Sequence, residues 1–411
     1  MQAVELGAVP PEERNQSALT LFFIFAGANI VATTLQVGAS LVPAFGLREA
    51  LGFIAFGSVA GAALVAALAP LGPKLGVPSV VACRAALGLR GAALVALLLY
   101  TTNFAWIAVN NVIAASACAR LLGGPSLERV WAFGLGLLAT AVVAGGPRAV
   151  GLADRVAVPT LLLVGIVLTA ACLKLPREVF STPGTGGMSA LRGLDVVIGY
   201  QVSWLLMFAD YSRYTRSAAK GTAAVFLGLA VTSLWFIPLG FVTARAARSG
   251  DPGAMLEAVG LPVWGALLLT LATLTTNFVN IYLSSLAWKS LFPGAGDTLS
   301  IWSIGLVGAA LSLLHGWLDR YADFMLLLGG LLVPVGGILL SHFFLLRRPV
   351  NVPALYDAKG PLARHAGFSI PGLAAWTAGA AVYFLAGGIG GTLPSLVASI
   401  AAYAVLVRVM K

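Results

Sequence analysis

Asn103, Trp106 and Asn110 stand at i, i+3 and i+7 of one apolar run, which places two amides and an indole on a single helical face. Such a face is ill-suited to lipid. Its chemistry is recognition, an aromatic platform rimmed by hydrogen-bonding groups, unless the amides serve as interhelical glue worth about 1 kcal/mol each. In a later run Thr275, Thr276, Asn277 and Asn280 cluster, and Ala272, Thr275, Thr276 and Asn280 share a face. Neutral oxygens on adjacent turns suit Na⁺, although the hydroxyls can instead bond back to their own helix. A third set, Gly199, Tyr200, Gln201, Trp204 and Phe208, joins a flexible backbone point to an aromatic face. Gly27, Ala28 and Asn29 interrupt the first apolar run, and unwinding there would turn the carbonyls of Gly27 and Ile30 toward a cation. Two aromatic faces with several amides and no buried basic cluster suit a flat, neutral ring better than a carboxylate or a phosphate.

The other polar residues fit structural roles. Asp210 and Arg213, within Ala209-Asp210-Tyr211-Ser212-Arg213-Tyr214, are spaced for an ion pair or a gating clamp at a membrane edge. His315, Asp319, Arg320 and Asp323 gather at a turn, and His342 stands alone. Asp195 is the acid placed for proton coupling if Na⁺ is not the coupled ion. Cys83, Cys118 and Cys172 have no metal-ligand spacing and read as small apolar fillers. No HExxH, GxSxG or Asp-rich pattern occurs, so neither catalysis nor a cofactor is expected.

The elements that must position these groups follow from composition. Of 411 residues, 59% are hydrophobic and 10% charged, too little charge to hydrate the surface of a soluble domain, which averages about 25%. Apolar runs recur, each long enough to cross a hydrocarbon core of about 30 Å as a helix. They are continuous and rich in Leu, Ala and Gly, without the alternation of a membrane barrel. Spans are predicted over 17–45, 49–71, 92–121, 127–145, 155–174, 190–209, 219–244, 261–289, 298–316, 321–346, 370–388 and 390–408. Most of the 25 basic residues, among them Arg14, Lys74, Arg84, Arg213 and Arg348, fall on the side of the N-terminus. That bias places both termini in the cytoplasm of a cell whose cytoplasmic membrane holds the chain, and it accounts for the net charge of +10 without nucleic acid.

Residues 1–16 are polar, with Glu12 and Glu13 beside Arg14, and do not read as a signal peptide. Polar interruptions near Asn29 and Gln201 occupy like places in two stretches of five spans, as expected of an inverted repeat. The predicted layout is therefore a cytoplasmic segment 1–16, a first five-helix unit 17–174, a second unit 190–346, a connector 347–369, and two more helices in 370–411. The glycines and Pro334 in Gly329-Gly330-Leu331-Leu332-Val333-Pro334 are expected to ease a bend in the tenth span.

Val9-Pro10-Pro11-Glu12-Glu13-Arg14, the Gly27-Ala28-Asn29 break, Gly76-Val77-Pro78 and the stretch to Gly91 resemble the nucleobase:cation symporter-1 family. The Trp106 face, the segment Ala209 to Tyr214 and Thr275-Thr276-Asn277 resemble it too. Within the family, Ser203-Trp204 and Thr275 to Tyr282 look most like the hydroxymethylpyrimidine permeases, with cytosine permeases the next branch. The resemblance implies a sodium-symporter-type bundle of ten helices plus two and transport by alternating access. It implies stacking of substrate on Trp106, with Asn110 at the rim, Trp204 or Tyr200 as second aromatic because the family's position falls on Gln201, and Asn280 as an amide contact. It implies a Na⁺ site at Gly27, Ile30, Ala272, Thr275 and Thr276. The expected partners are a heterocyclic solute, most simply a pyrimidine such as the thiamine precursor hydroxymethylpyrimidine, and the lipid bilayer.

Overall fold

The computed structural model describes residues 7–292, 294, 296–363 and 365–410, so residues 1–6 of the expected N-terminal segment lie outside the described residues. Long runs of Leu, Ala, Val and Gly satisfy their backbone groups within helices, as a lipid solvent requires. Among the described residues the chain is helical, and its one parallel bridge joins Gln16 to Thr215. The first half comprises α1 (Ala18–Asn29), α2 (Ala32–Ala39), α3 (Leu47–Leu68), α4 (Leu71–Leu75), α5 (Ser79–Leu122), α6 (Glu128–Ala144) and α7 (Pro147–Cys172). A short α8 (Arg177–Ser181) leads to α9 (Ala190–Val202), α10 (Ala218–Ala247), α11 (Pro252–Ala258), α12 (Pro262–Leu291), α13 (Asp297–Leu311) and α14 (Tyr321–Leu340). The chain closes with α15 (Ile370–Leu385) and α16 (Thr392–Val409).

Each predicted span coincides with one helix or one helix pair, but three details differ. The first span breaks at Ile30 and Val31, just past Asn29, where α1 and α2 meet at a 55° bend. The sixth breaks at Ser203 and Trp204, because Gly199 lies inside α9, where its missing side chain is a packing seat: a Cβ there would stand 2.2 Å from the Met325 carbonyl oxygen of α14. The third begins at Ser79 and carries a kink at Gly88, whose φ of 80° suits glycine. The tenth span holds Pro334 inside a continuous α14. That helix runs unbroken from Tyr321 to Leu340, and Gly329 and Gly330 seat the rings of Tyr383 and Phe384 on α15.

The helices sort into two groups. The broken pair α1 and α2 packs on α10, and α3 packs on both α9 and α10; α5 packs on α12 and α6, and α13 on α6. The weld between α5 and α12 is polar: Asn110 Nδ2 donates to Asn277 Oδ1 at 3.2 Å, Asn277 Nδ2 to Asn111 Oδ1 at 2.8 Å, and Thr273 Oγ1 to the Asn110 carbonyl at 2.9 Å. α14 lies against α9 and α16.

At one end the N-terminal segment is clasped to the first group. The Arg14 guanidinium donates to the carbonyls of Val9 and Pro73, Val9 N–H to Gly76, and Gln16 N–H to Tyr214. The connector closes the same end, with Arg84 donating to the Leu355 carbonyl at 2.9 Å and lying over the Tyr356 ring. Burial pushes the Tyr356 hydroxyl above its ordinary pKa, so cation and neutral ring meet there.

Candidate functional site

The two helix breaks face the second group across a central cavity of about 30 Å³. The α1–α2 break contributes Val31 and Thr33, and the α9 break Tyr200, Ser203 and Trp204; α5 contributes Asn103 and Trp106, and α12 Thr276 and Asn280. Breaks belong here because irregular backbone at membrane depth is tolerated only inside protein or beside a cavity. The volume holds about two waters, and a ring can enter only as the surrounding side chains part.

Trp106 and Trp204 are both buried at 9% exposure. The Trp106 indole meets Tyr200 edge-on at 6.2 Å, and Tyr200 is fixed by a 2.5 Å hydrogen bond with the Thr34 hydroxyl. The Asn103 Nδ2, Asn280 Nδ2 and Trp204 Nε1 atoms are buried without a hydrogen-bond partner. An unpaired donor away from water costs about 1–3 kcal/mol, and three of them around one cavity amount to a recognition surface awaiting acceptors. Since an amide can turn over, Asn103 and Asn280 each offer a donor and an acceptor side by side.

The remaining predicted residues are placed differently. Asn110 lies off the cavity, bonded to Asn277, which is the glue reading of that amide. Asn29 and Gln201 also lie off it: both are fully buried, and their amide nitrogens converge on the Ser233 hydroxyl of α10 at 2.7 and 2.6 Å. One serine thus joins both helix breaks. Asp210 and Arg213 sit in a turn beyond α9, where the Arg213 guanidinium donates to the Gly7 carbonyl and the Tyr214 hydroxyl and ties this turn to the N-terminal segment. Phe208 is fully buried and lines no part of the cavity.

Of the proposed cation ligands, Gly27 closes α1 and Ile30 stands in the break, while Ala272, Thr275 and Thr276 follow one another on α12. The Thr276 hydroxyl donates to the Ala272 carbonyl at 2.7 Å and Thr275 to Leu271 and Ala272, leaving oxygen lone pairs available. Only Thr276 of the five lines the cavity. α1 packs along α10, and it is α2 that touches α12. Among the described residues no group of three His, Cys, Asp or Glu side chains could hold a transition metal.

Asp195 is buried on α9. Its carboxylate accepts the backbone N–H groups of Gly391 at 2.5 Å and Thr392 at 3.2 Å and so caps α16. His342 bonds Tyr403 at 2.7 Å within the packed interior. Sequence reasoning missed Thr102, Thr33 and Ser203, which line the cavity, and the cover formed by Tyr321 and Phe324. The signal for the cover was present as two aromatics at i, i+3 opening the tenth span. They meet Trp106 edge-on at 6.4 and 5.1 Å, and Tyr321 Oη donates to the Thr33 carbonyl at 2.8 Å. Beyond them opens a polar vestibule of about 800 Å³ that includes Gln36, Arg129, Asp251 and His315.

The family model described as permease for cytosine/purines, uracil, thiamine, allantoin matches residues 8–407. A putative purine-cytosine permease, YxlA, of Bacillus subtilis is 26% identical over 86% of this chain and 81% of its own. The cytosine permease of Escherichia coli K12 is 25% identical over 82% and 80%. Among solved structures, the inward-facing conformation of Mhp1 superposes with a TM-score of 0.88 at 21% identity, covering 98% of this chain and 93% of that one. Mhp1 closed with bromovinylhydantoin bound, the structure of a nucleobase-cation-symport-1 transporter, gives 0.83 at 21%, covering 98% and 94%. Seven helices among the described residues are long and apolar enough to cross a membrane, and the bent α1–α2 pair adds an eighth. Fold, spans and family match together show that the chain is a multi-pass membrane transporter, not an enzyme, and belongs to the nucleobase:cation symporter family of cytosine and purine permeases.

Proposed function

We propose that this protein imports a small 4-aminopyrimidine, of the kind represented by cytosine and hydroxymethylpyrimidine, together with Na⁺. The observation that carries the reading is the pair of amides, Asn103 and Asn280, with unpaired nitrogens facing a cavity walled by Trp106 and Trp204. An aminopyrimidine presents an N–H donor beside a ring-nitrogen acceptor, the edge that an asparagine amide pairs with bidentately, and a π-face for the indoles. The names of the relatives, cytosine and purine-cytosine permeases, support the class.

Na⁺ coupling is supported by the neutral Thr276 hydroxyl, which lines the cavity together with Val31 of the helix break, and by the backbone donors that engage the Asp195 carboxylate in a cap. The side bearing the N-terminal segment and connector is cytoplasmic in this reading, and the vestibule faces outward. Tyr321 and Phe324 then form the outer cover, and α7 the element that yields on the inner side. The experiment is a thermal-shift panel of cytosine, hydroxymethylpyrimidine, uracil, hypoxanthine and a hydantoin, with and without Na⁺. Stabilisation by the two aminopyrimidines above uracil, enhanced by Na⁺, is expected; a response to hydantoin alone would replace the substrate class.

A further inference from the structure

A second cavity, of about 270 Å³, lies far from the central one, at the end of the molecule that carries the connector. It forms where Gly88 kinks α5 and lets the connector close in: a Cβ at Gly88 would stand 2.6 Å from the Gly367 carbonyl oxygen. One wall is apolar, with Ile370 opening α15 and Val407 and Met410 closing α16; Ile370 and Met410 are 43% and 47% exposed. The opposite wall holds Arg348 and His365. Both are exposed, neither side chain makes a hydrogen bond or ion pair among the described residues, and no lining residue is acidic.

An uncompensated guanidinium and an imidazole at one rim, above apolar helix ends that face the bilayer, match an amphiphile with an anionic head. We infer that this cavity seats the phosphate headgroup of an anionic phospholipid, its acyl chains running down Ile370 and Val407. Arginine engages phosphate oxygens bidentately, and basic pockets between transmembrane helices are suited to anionic headgroups. The cavity floor includes Tyr403, which bonds His342 in the turn that ends α14. An occupied headgroup site therefore braces α16 against the helix that covers the central cavity.

The test is native mass spectrometry of the full chain titrated with phosphatidylglycerol or phosphatidylcholine. The wild type is expected to prefer the anionic lipid by about five-fold, the contribution of one basic side chain at a membrane surface. Arg348→Gln with His365→Gln should bring the two lipids to parity, and Arg348→Lys should retain the preference. Heterocycle binding at the central cavity, intact in all three, confirms folding. Equal preference in the wild type and the double glutamine variant would overturn the assignment. Competition by inorganic phosphate as effective as the lipid would overturn it in favour of a free-anion site.

Discussion

Truncating Trp106 to alanine removes the platform against which Tyr200, Tyr321 and Phe324 are arranged. It should weaken heterocycle binding at least about five-fold, since base–aromatic stacking contributes about 1–3 kcal/mol, and calorimetry on purified protein would read the loss. Asn280→Leu keeps the volume but deletes the donor–acceptor edge, and should abolish discrimination between cytosine and uracil. Asn110→Leu, one turn beyond Trp106, should leave that discrimination intact and lower thermal stability, because its partner is Asn277. Thr276→Ala should raise the Na⁺ concentration needed for half-maximal uptake without touching pyrimidine affinity in its absence; unaltered Na⁺ dependence would remove Thr276 from the cation site. At this scale the sequence was legible by type rather than by address. The amide-and-indole face was visible in the spacing of Asn103, Trp106 and Asn110, but a helical face is wide, and only the packed partner decides which part of it meets the cavity and which meets α12.

Elements were read more securely. Continuous apolar runs fix where helices lie, because lipid leaves the backbone no alternative. Breaks were located to within a turn or less: the polar triplets Gly27-Ala28-Asn29 and Gly199-Tyr200-Gln201 precede the unwound residues Ile30–Val31 and Ser203–Trp204. The offset has a physical origin. Asn29 and Gln201 serve as anchors for Ser233, not as the hinges themselves. Ser233→Ala strips the shared acceptor from both anchors, and transport rate should fall with little change in equilibrium binding, read by comparing uptake with calorimetry. The glycines of α14 and Gly199 were harder to read. In lipid, glycine marks close packing as often as bending, and the neighbours Tyr383 and Met325 are invisible until the helices are assembled.

For the whole molecule, the grouping of α1, α2, α3, α9 and α10 against α5, α6, α12 and α13, with a cavity at their seam, is the arrangement in which one group can rock upon the other. The cover of Tyr321 and Phe324 shuts the seam toward the vestibule. Phe324→Ala should open that side, and a cysteine placed at Ser203 should then react with a membrane-impermeant reagent applied from the vestibule face, where the parent protein is protected. The ten-plus-two division was legible from the proline-bearing connector, but not the attachment of the last two helices, because a lone acid in an apolar run does not name its partner. Asp195 contributes to that attachment beside the packing of α14, its carboxylate accepting the first backbone amides of α16. The final helix pair thus completes a carboxylate that the transporter cannot satisfy by itself: a shortened chain ending before α15 would strip Asp195 of both backbone donors beside hydrocarbon, so trimming the protein to its ten-helix minimum should succeed only when Asp195 is replaced at the same time.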